Sequence, residues 1–322
     1  MRDSEKEDVL ELLNHKIKPG ESARVNFNTA KLYTTTAVEV PILIERSINP
    51  GPTILITGGI HGDEIAGVEV VRQLISKGIN KPKRGTIICI PVVNVFGFLN
   101  LKREFPDGRD LNRMFPGSKT GALASRFAYQ FTHEILPHAD FCMDFHTGGS
   151  TRYNAAQIRV QEGDEDIFEL AKIFNAPFTV FSKTIAKSYR GACAKLGKPI
   201  LLFEGGKSLE NDKTISKYGV DGVMRILKHF DMLQGNFEVS EPDFTNILIK
   251  KSQWMRAKYS GLLHVKIPIG KFVEKGEYIA IITDPYGSFR HKVRASNTGY
   301  IINVNQSAIV YQGDAIFHIS KN

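Results

Sequence analysis

Short apolar runs alternate with longer amphipathic ones over the first two-thirds of the chain. Runs rich in β-branched residues at 37–44, 53–57, 86–92, 140–145, 155–160, 178–181 and 199–203 read as strands. Apolar residues at helical spacing predict helices over 64–77, 122–136, 164–174 and 212–232. Strands interleaved with helices imply an α/β fold: a twisted mixed sheet with helices on both faces. Two stretches, 94–119 and 182–198, show no clear period. Loops of that length in a compact domain are usually functional or disordered. The first is dense in charged and turn-forming residues, which favours function.

The texture changes after a linker-like stretch at 235–246. Beyond it come short β-runs punctuated by Gly, with almost no helical period. The segment repeats itself. Gly261 opens a strand and is followed fifteen residues later by Gly276; Gly299 opens another and is followed fourteen residues later by Gly313. Each second Gly sits in a Val-x-x-Gly-acid-x-Ile frame. The division predicted is a catalytic domain over 1–240 and a small all-β module over 247–322. The module's pattern resembles a biotinyl/lipoyl-like barrel-sandwich fold. The modified lysine that this resemblance implies is missing around residues 284–288, so the module reads as structural, with no attached cofactor.

Candidate chemistry begins where a predicted strand ends. Ile54 to Thr57 leads into Gly58-Gly59, then His61 and, three residues on, Glu64. An imidazole nitrogen and a carboxylate are both good ligands for Zn²⁺. Gly-Gly lets the backbone bend sharply there. Open α/β sheets place their sites at strand C-termini, where this pair falls. The spacing alone is also compatible with a helix start carrying acidic residues in its first turn.

Other pieces repeat the design. Asp144-Phe145-His146-Thr147-Gly148-Gly149 closes another β-run with a His and a permissive loop. His146 could be a third ligand, leaving a position open for water. Asp144 lies two residues earlier on the same strand face, suited to orient a ligand His. Ile200-Leu201-Leu202-Phe203 ends in Glu204 and Gly205-Gly206. A carboxylate closing a buried strand is costly unless paired or functional; beside an activated water it is a general base. The loop from Arg103 to Gly117 adds Arg103, Arg109, Asp110, Asn112 and Arg113; Arg presents a planar fork suited to carboxylates, and Asn a directional amide donor.

Charge and composition narrow the classes. The net charge is +8, but residues 250–322 hold 11 Lys/Arg against 4 Asp/Glu. The basic character belongs to the C-terminal segment, where it alternates with apolar residues as on a solvated strand face. Acidic substrates or subunit contacts fit this better than nucleic acid. No apolar run reaches the roughly 18 residues of a membrane span. Residues 1–8 are too polar for a secretory signal. Cys89, Cys142 and Cys193 lack metal-site spacing and read as buried thiols of a cytoplasmic protein. The expected partner is a small-molecule substrate, with neither nucleic acid nor membrane; a homo-oligomer is left open.

Taken in order, Gly-Gly-x-His-Gly-x-Glu, Asp-Leu-Asn-Arg, Asp-x-His-Thr-Gly and the late Glu-x-Gly resemble the succinylglutamate desuccinylase/aspartoacylase family of zinc-carboxypeptidase-like hydrolases. The Arg-x-x-Pro-x-Gly-x-Asp-Leu-Asn-Arg-x-Phe-Pro-Gly form resembles its bacterial predicted-deacylase group. The resemblance runs from about residue 37 to 320. It implies one Zn²⁺ held by His61, Glu64 and His146. It implies Glu204 as the group that activates water and later protonates the leaving amine. Asn112 and Arg113 would bind a substrate carboxylate, and Arg103 would polarise the scissile carbonyl, with Arg109 a competitor for that role. Arg159 and Arg190 are further candidates for substrate binding.

The function implied is hydrolysis of the amide of an N-acyl amino acid or similar small carboxylate-bearing amide. A metallocarboxypeptidase acting on peptide C-termini would use the same metal site and base. A non-catalytic binding protein on a hydrolase fold is the third reading.

Overall fold

In a computed structural model the structure describes residues 9–31 and 37–321. The polar start at 1–8 lies outside the described residues. A hairpin, β1 (Leu10–Leu12) and β2 (His15–Ile17), precedes the antiparallel pair β3 (Ser22–Lys31) and β4 (Ala37–Arg46). Alternation then follows: β5 (Thr53–Gly58), α1 (Ile65–Ser76), β6 (Thr86–Ile90), α2 (Val95–Leu99), α3 (Leu123–Gln130), β7 (Phe141–Gly148), β8 (Arg152–Val160), α4 (Glu165–Phe174), β9 (Phe178–Phe181), α5 (Tyr189–Lys195), β10 (Ile200–Lys207) and α6 (Lys213–His229).

The strands form a mixed sheet whose central order is β8-β10-β7-β5-β6-β4-β3. β10, β7, β5 and β6 are mutually parallel, and β8, β4 and β3 flank them antiparallel to their neighbours. Period-2 alternation assigns each strand's side chains to two cores. On β5, Ile54 and Ile56 pack under α1, α4 and α6 with Val70, Phe174 and Val223. Leu55 points the other way, to the core built with Phe127 and Phe131. On β7, Met143 and Phe145 join the first core and Cys142 the second. Helices cover both faces, as the pattern implies.

Several elements differ in extent from the sequence reading. β6 stops at Ile90, because Pro91 has no N–H to continue the ladder. β7 and β10 run on to Gly148 and Lys207, carrying their candidate residues inside the strand. The helix expected over 122–136 is α-helical only to Gln130; it widens to a π-helical turn over Phe131–Ile135, then a short 3₁₀ turn around Pro137. The aperiodic stretch at 182–198 contains α5, capped by Ser188, whose side chain accepts from the Gly191 N–H.

Residues 235–246 carry no helix or strand. Beyond them lie β11 (Ile247–Ile249), β12 (Lys251–Arg256), β13 (Gly261–Val265), β14 (Phe272–Val273), β15 (Tyr278–Thr283), β16 (Arg290–Arg294), β17 (Gly299–Asn305), β18 (Ile309–Val310) and β19 (Ala315–Lys321). The internal repeat appears as an exchange of short strands. Val273 of β14 pairs with Gly299 of β17, and Val310 of β18 pairs with Gly261 of β13. Gly276 and Gly313 occupy matching turns at φ of 88° and 95°, a region that disfavours side chains. β13, β15, β16 and β18 make a four-stranded sheet. β17, β19 and β12 instead extend the main sheet, because β17 pairs antiparallel with the first half of β8. Val273, Ile279, Ile301 and Phe317 fill the core between these strands. Among the described residues no helix is long and apolar enough to cross a membrane.

Candidate active site

The site forms where the parallel strands end. β7 presents Cys142, Asp144 and His146 on one face, and β10 runs beside it with Leu202 opposite Asp144 and Glu204 opposite His146. β5 ends one strand over, with Thr57 opposite Asp144. The loop after β5 turns on Gly59 at φ 60°. Gly62 then passes so close to the next segment that a Cβ there would lie 1.9 Å from the Gly97 carbonyl carbon. This tight turn brings His61 and Glu64 over the end of β7.

His61, Glu64 and His146 are all buried, with ligand atoms within 4.8 Å of one another. The Glu64 carboxylate lies between the two imidazoles: Oε1 is 2.7 Å from His61 Nδ1, and Oε2 is 2.8 Å from His146 Nδ1. The Thr147 N–H also donates to Oε2 at 3.1 Å. Each imidazole has a carboxylate on its outer nitrogen. His146 Nε2 is 2.7 Å from Asp144 Oδ2, and His61 Nε2 is 3.1 Å from Asp110 Oδ1. Asp144 is itself held by the Thr57 hydroxyl at 2.7 Å. Asp144 thus takes the orienting position that its spacing suggested. Asp110 does the same for His61, a role the sequence motif did not disclose.

The charges explain the protonation preferences. Burial opposes charge on His61 and His146, but carboxylates outweigh it: Glu64 and Asp110 around His61, Asp144 and Glu64 around His146, raising both. Burial equally opposes charge on Glu64, and the two histidines outweigh it, holding it well below the usual range. Asp110 is likewise held low against burial, by His61 and then Arg103. With neutral imidazoles, Glu64, Asp110 and Asp144 against Arg103 leave two uncompensated negative charges. A buried site of that charge with two nitrogens and a carboxylate converging on one point fits a divalent cation.

Arg103 reaches this cluster from the charged loop. Its Nε and Nη2 donate to Asp110 Oδ2 at 3.2 and 2.9 Å, and Nη1 donates to Glu64 Oε1 at 3.2 Å. Arg109 instead pairs with Asp107 at 3.1 Å, away from the cluster. Asn112 follows Asp110 in a 3₁₀ turn; its Oδ1 accepts from the Tyr189 N–H at 2.8 Å, tying the loop to α5. Arg113 is exposed beside it, and both line the cleft.

Glu204 lines the same cleft from β10, beside His146 of β7. Its Oε2 accepts from Arg159 Nη2 at 2.7 Å and Asn154 Nδ2 at 2.8 Å. Arg190, a candidate for substrate, spends its guanidinium on the Arg159, Ser182 and Lys183 carbonyls. Burial and the neighbouring Arg159 charge push it down to about 10. The cleft encloses about 1210 Å³ and is walled on its far side by Trp254, Asn303, Asn305, Ile309 and Tyr311 from the C-terminal strands. These wall residues and Asn154 carry no recognisable motif; only the strand pairing brings them in.

Comparison with known proteins decides the family. The model of the succinylglutamate desuccinylase/aspartoacylase catalytic domain matches residues 50–230, more than half of the chain and a span that includes all four motifs. The chain belongs to this family. With its His61–Glu64–His146 donor set it is a zinc-dependent hydrolase of the deacylase type. A relative from Halomonas elongata, N-alpha-acetyl-L-2,4-diaminobutyric acid deacetylase, is 29% identical over 299 residues, spanning 88% of this chain and 86% of that protein. The product-bound ectoine utilization protein EutE (DoeB) of Ruegeria pomeroyi superposes with a TM-score of 0.81 at 25% identity, over 94% and 95% of the two chains. A succinylglutamate desuccinylase/aspartoacylase from Rhodobacter sphaeroides shares the fold, with a TM-score of 0.82 at 22% identity over 97% of this chain and all of that one.

Proposed function

We propose that the protein hydrolyses the amide bond of an N-acyl amino acid, or a similar small amide bearing a carboxylate, using one Zn²⁺ per chain. The observation that carries this reading is the register of Glu204 against His146, which sets a carboxylate beside the buried His61–Glu64–His146 donor set in one cleft. Zn²⁺ held by those three residues would supply a Lewis acid and lower the pKa of water.

The protein's own groups do the rest. Glu204 takes the proton of the attacking water and returns it to nitrogen as the C–N bond breaks. Arg103 has one hydrogen left on each of Nη1 and Nη2 after its bonds to Glu64 and Asp110, and these would serve to meet the charge that develops on the carbonyl oxygen. The Asn112 side-chain N–H groups, without an acceptor among the described residues, and the Arg113 guanidinium, which spends one N–H on the Asn112 carbonyl, hold the substrate carboxylate. The residues are divided as a catalytic domain over 1–240 and a C-terminal barrel-sandwich-like module over 247–322, whose strands wall the cleft. That wall favours compact substrates over an extended peptide, and so the deacylase reading over the carboxypeptidase one.

The test is a panel of N-acetyl, N-succinyl and longer N-acyl amino acids, with C-terminally cleavable peptides, assayed with and without zinc. N-α-acetyl-2,4-diaminobutyrate belongs in it, since Asp63, Glu104 and Asp314 line the cleft and could meet a second amino group. Zinc-dependent release of a free amine from one N-acyl amino acid is the expected result. Turnover of peptides alone would transfer the assignment to the carboxypeptidase reading. Ligand binding indifferent to chelator, with no turnover, would mark a binding protein.

A further inference from the structure

One strand of the C-terminal region is wired to the proposed base. β17 runs antiparallel to β8, with Asn303 directly opposite Asn154. Asn303 Nδ2 donates to Asn154 Oδ1 at 2.6 Å, and Asn154 Nδ2 donates to Glu204 Oε2 at 2.8 Å. Arg159 Nη2 donates to the same oxygen at 2.7 Å. Among the described residues none donates to Glu204 Oε1.

The direction of this relay is forced. An ionised carboxylate only accepts, so Asn154 must turn its Nδ2 toward Glu204. Its Oδ1 then faces Asn303, which must answer with Nδ2. Asn303 is left with its own Oδ1 buried and, among the described residues, without a partner. Both side chains are nearly sealed from solvent, at 3% exposure for Asn303 and 4% for Asn154. A buried amide oxygen with no partner costs stability, and an apolar residue at 303 would avoid that cost. The position is suboptimal for packing and suited to orienting its neighbour.

We infer that Asn303 and Asn154 are positioning residues for Glu204. They fix the turn of the carboxylate by occupying Oε2, and leave Oε1 for the water. This rests on the function proposed above, and it makes the C-terminal region part of the reacting geometry as well as a wall. A base displaced by a fraction of an ångström loses much of its effect.

The experiment uses the full-length, zinc-loaded protein. Asn303→Leu keeps the approximate volume and removes the donor. It is expected to lower kcat about tenfold, with KM within about twofold and zinc content unchanged. In an Asn154→Ala background the same substitution should have no further effect on kcat, because Asn303 acts only through Asn154. An equal loss in that background, a change in KM alone, or a wild-type kcat would overturn the proposal. If Asn303→Leu does not fold, Asn303→Ala takes its place in the same cycle. Crystal structures of wild type and variant give a readout independent of turnover. The Glu204 carboxylate should leave Asn154 or occupy several positions in the variant, with the metal ligands superposed. An unmoved carboxylate overturns the relay. If the wild type hydrolyses no N-acyl amino acid, the functional reading has failed, and this structural comparison alone decides the relay.

Discussion

The two walls of the cleft treat the same residue type in opposite ways. On the wall formed by the catalytic strands, His61 and His146 face Glu64, Asp110 and Asp144, which overcome burial and raise both imidazoles. Among the C-terminal strands, behind the wall residue Trp254, His318 is pushed down to about 4 by burial and by the charge of Arg159. It stacks on Trp254 with ring centres 4.5 Å apart and planes 5° from parallel. The Arg152 guanidinium lies 5.5 Å from the ring centre of the same Trp254. One wall collects negative charge around histidines and so invites a cation. The other buries its histidine near the charge of Arg159 and so disfavours its protonation. In the proposed function the metal ligands and the base stand on the first wall, and the second bounds the space left for the substrate.

The largest effects should come from breaking the first wall. Chelation of the metal is expected to abolish turnover, and added Zn²⁺ to restore it; activity that survives exhaustive chelation would remove the metal from the mechanism. Glu204→Gln should lower kcat at least ~10²-fold while zinc content and melting temperature stay near those of wild type. Full activity in that variant would leave the cleft without its proposed base, and the contrast between the walls would lose its catalytic meaning.

That first wall was also the legible one. His61 and Glu64 lie three residues apart after a strand, and His146 and Glu204 each close another apolar run, near the C-terminal end of its strand. Because strands of one parallel sheet end on one edge, residues that end strands were bound to meet. The second wall depends on pairings that no local pattern encodes. Asn154 and Asn303 are 149 residues apart, and an Asn in a strand announces nothing. Asp110 was visible inside its motif, yet its task depends on His61, 49 residues away. α5 escaped notice because seven residues containing Gly191 and two alanines are too short to show a period. β3 buries Val25 and Phe27 between polar neighbours, a weak alternation beside the apolar runs of the central strands.

A paired comparison sharpens the division. Asp144→Asn keeps the shape but gives His146 a weaker acceptor. Loss of such an outer carboxylate is expected to weaken zinc binding about 10–100-fold, read by competition with a chelator of known affinity. Trp254→Ala on the opposite wall should leave zinc affinity unchanged and alter KM by several-fold, differently for short and long acyl groups. Zinc affinity that fell equally in both variants would show that the walls are not separable.

The smallest effect concerns stability and pH. His318 titrates near 6.5 when unfolded and near 4 when folded, so between those values the unfolded chain binds more protons. Its contribution is therefore complete above about pH 6.5 and is lost as pH falls through that window toward 4. Histidines at the metal wall titrate in the opposite sense, raised when no metal is bound, so they cannot produce this loss. His318→Gln removes the ionisable group and keeps a polar side chain of similar length. Its melting temperature should decline less than that of wild type between pH 6.5 and 4.5, with each kcal/mol of difference appearing as roughly 1–2 °C for a chain of this size. Parallel curves for the two proteins would mean that Arg159 and burial do not hold this imidazole neutral, and the electrostatic contrast between the walls would rest on the metal side alone.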